Sequence, residues 1–77
     1  MFIWGNKMDL FIARAAQTAF NKAGYRKDDA LRQGQQVAAY LLANLDECKR
    51  QYGIDDEFEL AYCMARQQVS TRAGMVG

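Results

Sequence analysis

The chain has no histidine, no proline and only two cysteines in 77 residues. Without histidine it lacks the commonest zinc ligand and the side chain best suited to moving protons near neutral pH. Cys48 and Cys63 are too few to form the disulfide framework that staples small secreted domains. The absence of proline leaves helices free to run uninterrupted. Net charge is scarce too: ten basic and nine acidic residues give +1, too little by itself to imply a polyanion or membrane surface as partner. The opening Met1-Phe2-Ile3-Trp4 is a short apolar run followed at once by Gly5-Asn6-Lys7. It reads as neither a signal peptide nor a membrane span. These exclusions give the expectation of a soluble, cytoplasmic protein, of a size common among small bacterial and phage proteins.

A single domain of this length hides only somewhat more than about 60% of the surface its unfolded chain exposes. With disulfides and metal set aside, oligomerisation is the support left to it. Charge is unevenly divided: residues 1–38 carry six basic and three acidic side chains, residues 39–77 four basic and six acidic. That asymmetry favours head-to-tail or antiparallel contacts, within a chain or between copies.

What is present is helical punctuation. Gly24, Gly53 and Gly74 each follow a helix-like run and precede an apolar residue, Tyr25, Ile54 and Met75. A left-handed glycine with an apolar residue folded back on the last turn ends helices in this way, so Tyr25 is expected against Phe20 and Ile54 against the Cys48–Lys49 turn. Asn6 with Asp9, Asp28-Asp29, and Asp55-Asp56 with Glu59 supply acidic or amide starts. The spacing predicts helices over about 7–23, 29–52 and 55–73 in one domain spanning 1–77. The expected fold is all-α: a three-helix antiparallel bundle, or a long helical hairpin with a shorter third helix, that self-associates through its second and third helices.

The middle helix carries Leu31, Gly34, Ala38, Leu41, Leu45, Cys48 and Tyr52 at alternating spacings of three and four, the seam of a bundle or coiled coil, which makes it the expected spine. The first helix offers Met8, Phe11, Ile12, Ala15, Ala19 and Ala23, widened by Ala16 and Phe20; its alanines facing Gly34 and Ala38 allow close backbone approach. The third offers Phe58, Ala61, Tyr62, Ala65 and Val69. Left over are Leu10, Val37, Tyr40, Leu42, Leu60 and Met64, together with Trp4. A surplus of large apolar groups on a small protein marks a contact surface.

Catalytic and metal motifs are missing. A cysteine nucleophile has no histidine to activate it, and the glycines form neither a phosphate loop nor a dinucleotide fingerprint. The acidic run from Asp55 to Glu59 lacks calcium-loop spacing and reads as a helix cap with an acidic first turn. An intrachain Cys48–Cys63 bridge fails on axial offset, and both thiols read as core. No enzyme activity, cofactor or metal is expected. The expected function is a non-catalytic protein–protein interaction, in which a homodimer or higher oligomer acts as adaptor, regulator or inhibitor on a larger protein. Its contact residues would be Trp4, Tyr40, Leu42, Leu60 and Met64. The alternative is a DNA- or RNA-binding regulator that uses Lys22, Tyr25, Arg26, Lys27 and Arg32 at the first interhelical loop.

Overall fold

The computed structural model describes residues 7–76, and the side chains of residues 9–72. Four helices account for its regular structure: α1 (Lys7–Lys22), α2 (Lys27–Ala43), α3 (Leu45–Tyr52) and α4 (Glu57–Val76). No strand occurs among the described residues, so the all-α class holds. The expected count of three helices does not.

The expected middle helix breaks at Asn44, where φ is −132° and ψ 41°. The Asn44 side-chain amide donates to the Tyr40 carbonyl at 3.1 Å, and its backbone N–H is shared between the carbonyls of Tyr40 and Leu41. Asparagine competes with the helix ladder in this way, by offering the backbone a local alternative. The carbonyl of Asn44 then accepts from Cys48 N–H at 2.9 Å to open α3. Asp46 and Glu47 lie in the first turn of α3, where carboxylates favour the positive end of the helix dipole. The three-four seam survives the break: Leu41 before it and Cys48 after it are both buried.

The first two glycine stops form as expected. Gly24 has φ of 98°, Tyr25 N–H donates to the Phe20 carbonyl, and Gly24 N–H to that of Asn21. This is the paired bonding of a Schellman end. The Tyr25 ring lies 5.1 Å from that of Phe20, centroid to centroid. Gly53, with φ of 68°, donates to the Lys49 carbonyl at 2.8 Å, and half-buried Ile54 packs against the core. The third stop is corrected: α4 continues through Gly74 to Val76.

Helix starts divide similarly. α2 begins at Lys27 after an Arg26 that makes no side-chain cap, with Asp28 and Asp29 inside its first turn. The tight Gly24 turn lets the helix resume before the aspartates are reached. Asn6 lies outside the described residues. At α4, Asp56 Oδ1 accepts from Phe58 N–H at 2.8 Å and from Glu59 N–H at 3.4 Å, so the acidic run is a helix cap as expected. Replacing Asp56 with alanine should cost about 1 kcal/mol, and Asp55→Ala close to nothing, as read from urea unfolding midpoints.

The spine is α1, not the middle helix. It packs extensively against both α2 and α4, which barely touch each other. Its buried stripe is Ile12, Ala13, Ala16, Ala19 and Phe20. Small side chains on both flanks of that stripe admit a helix on each side. Phe11 and Ala23, expected in the stripe, are exposed, and on α2 Ala30 takes the buried position expected for Leu31. Where α1 crosses α2, a Cβ built on Gly34 would lie 2.7 Å from the Ala13 carbonyl oxygen, so the two backbones are in contact.

Candidate interaction surfaces

Because α2 and α4 both lean on α1 and touch each other only slightly, an open groove of about 550 Å³ runs between them. Val37 and Tyr52 contribute its apolar lining, Tyr40 and Met64 its lips, and Gln36, Gln67 and Arg72 its polar end. Tyr40 is 59% exposed and Met64 is half-buried. Two of the expected contact residues, 24 positions apart in sequence, thus meet across one concavity.

The other expected contact residues fare differently. Leu60 is fully buried within the core cluster, so its assignment to the surface is corrected. Residues 58–65 of α4 are apolar on nearly every side apart from Glu59, so its stripe alone does not tell which of them the core takes. Val37 is likewise buried. Leu42 is half-buried against the core, away from the groove. Trp4 lies outside the described residues.

A second apolar surface joins Leu10, expected in the apolar surplus, to Phe11 and Leu31, expected in the core. Leu10, Phe11 and Leu31, 46%, 52% and 41% exposed, edge a shallow concavity with Arg14, Gln17 and Gln35. Leu31 and Tyr40 are nine residues apart, which at 100° per residue places them on opposite sides of α2. The signal was in Gly34 and Ala30: small residues at the crossing bring the helices together there and push Leu31 outward.

The basic residues of the first loop do not form one cluster. Lys22 Nζ stands 5.7 Å from the Tyr62 ring centroid, within cation–π range, and shares a concavity between α1 and α4 with Arg66 and Ser70. Tyr25 is half-buried on Phe20 and its hydroxyl accepts from Arg72 Nη1 at 3.1 Å. Arg26, Lys27 and Arg32 are exposed. Sequence reasoning did not bring Arg66 or Arg72 to this end of the molecule, because only the packing of α4 across α1 does so.

At the opposite loop Lys49 Nζ pairs with Glu57 Oε1 at 3.0 Å. The hydrogen bond lowers the Glu57 pKa below its ordinary 4.5 and raises that of Lys49 above its ordinary 10.5. The pair therefore stabilises across neutral pH; its contribution fades as pH falls through the lowered carboxylate value or rises through the raised amine value. Exposure keeps it small. Among the described residues no three histidine, cysteine or carboxylate side chains converge on a possible metal position.

Both cysteines are free thiols, Cys48 buried and Cys63 half-buried. Burial, aided by the neighbouring Glu47 charge, pushes the Cys48 thiol above its ordinary 9.0, which leaves even less thiolate near neutrality. A disulfide reagent at pH 8 should modify Cys63 in the native protein and reach Cys48 only on unfolding, as followed by mass spectrometry of the two labelled peptides. Compared with protein-family models, curated proteins and solved structures, the chain has no significant match.

Proposed function

We propose that this chain is a non-catalytic protein-binding module, an adaptor, regulator or inhibitor that works as a homo-oligomer on a larger protein. Apolar surface on opposite sides of α2 among the described residues supports the reading: exposed Leu10, Phe11 and Leu31 on one side, exposed Tyr40 and half-buried Met64 on the other. Such patches on small proteins are commonly contact sites. With Leu60 buried, self-association is assigned to the first patch and the larger partner to the groove. Light scattering across a dilution series is expected to give a dimer or larger species, and Phe11→Glu a monomer with unchanged far-UV circular dichroism. A monomer at all concentrations rejects the oligomer.

The nucleic-acid reading rests on a different observation. Lys22 and Arg66 share a concavity whose described lining includes no carboxylate, and Arg26, Lys27 and Arg32 are exposed near the first interhelical loop. It requires binding to labelled DNA or RNA that weakens with salt, and on duplex DNA a log–log slope reduced by about 3 when those three residues become alanine, at about 0.9 per phosphate contact. Absent or salt-insensitive binding rejects it.

A further inference from the structure

The groove between α2 and α4 carries charge at one end only. Of the nine described residues that line it, Arg72 alone is charged. Its Nη1 donates to the Tyr25 hydroxyl and its Nη2 to Gln33 Oε1, each at 3.1 Å. Both acceptors are neutral, so they orient the guanidinium, and no carboxylate among the described residues forms an ion pair with it. A guanidinium has five N–H donors, and three are still available. The other end, at Tyr40, Tyr52 and Met64, is aromatic and apolar.

From Met64 to Arg72 is eight residues of α4, about 12 Å or two helical turns. Helices flank the groove on both sides, and no strand edge exists among the described residues for an extended peptide to pair with. A peptide that docks here therefore follows the helix-in-groove mode, in which apolar side chains one turn apart anchor the segment. Resting on the protein-binding reading above, we propose that the groove takes an amphipathic helical segment of a partner protein, with its apolar face between Tyr40 and Met64 and a carboxylate about two turns away paired to Arg72. The carboxylate is specified by the charge of Arg72, the apolar anchor by the floor at Val37 and Tyr52. A phosphate backbone is a poorer occupant, since a single cation above an apolar floor offers it one contact and nothing for its sugars.

The test is to pan a phage-displayed library of 16-residue random peptides on the immobilised full chain, then measure synthetic versions of the enriched sequences by fluorescence anisotropy. Enriched peptides are expected to carry large apolar residues three or four apart, with Asp or Glu about seven or eight positions away. Changing that acid to its amide in the peptide, which leaves the protein untouched, should weaken binding about tenfold or more, the scale of a lost charged hydrogen bond. Arg72→Gln should do the same, and Arg72→Glu should accept a peptide with lysine at that position. Apolar peptides with no acidic residue, or an amide change without effect, would overturn the carboxylate assignment while leaving the groove as a docking site. No enrichment, or binding that survives Met64→Glu, would reject the groove itself.

Discussion

Replacing Gly34 with alanine is expected to destabilise the protein by about 1–2 kcal/mol, although in an exposed helix interior the same change would stabilise by about 1 kcal/mol. Two effects compete and geometry decides between them. The new Cβ would lie 2.7 Å from the Ala13 carbonyl oxygen, 2.9 Å from Gln17 N and 3.1 Å from Gln17 Cα. All three are backbone atoms, so no rotamer change relieves the contact and α1 must move off α2. Overpacking costs about 1–3 kcal/mol, and a 2.7 Å clash with rigid backbone belongs to the upper part of that range, about 2–3 kcal/mol, which exceeds the propensity gain by about 1–2 kcal/mol. At this size the loss corresponds to a melting temperature lower by about 4–16 °C. Gly34→Leu should separate the helices far enough to consume the whole margin, about 4–12 kcal/mol for a domain of this length, leaving helical signal without a cooperative transition. An alanine variant as stable as the parent in thermal unfolding would show that the helices do not touch there.

This crossing also shows how far the sequence could be read. The close approach at Gly34, the Tyr25 fold-back on Phe20 and the Asp56 cap were all legible, because each depends on a few residues near in sequence or on side-chain size alone. The break at Asn44 had a signal too: Asn44 followed three residues later by Glu47 resembles a helix start. The sustained three-four spacing across it predicts one continuous helix all the same, since the spacing persists whether or not the backbone bends. The identity of the spine was not legible. It depends on α1 burying two flanks at once, a property of which helices meet and not of any single stripe. Once α1 is central, α2 and α4 are held apart, and the Tyr40–Met64 groove follows from that separation.

The burial of Leu60 leads to the second large effect. Leu60 and Met64 are one turn apart on α4 and differ by only about 40° around the helix, yet one is fully buried and the other half-buried at a groove lip. Leu60→Ala should cost about 2–5 kcal/mol through lost burial and the cavity left behind. Leu60→Glu should not fold, because the carboxylate would sit inside the buried core cluster with no partner to offset its desolvation. Met64→Glu is different: the side chain borders an open groove and its charge can reach water, so helicity and cooperative unfolding should survive within about 1 kcal/mol of the parent. The pair of glutamate variants, compared by circular dichroism and urea unfolding, therefore separates core from contact surface on a single helical turn. A folded Leu60→Glu protein would return that side of α4 to the surface. An unfolded Met64→Glu protein would close the groove, and with it the site assigned to a partner.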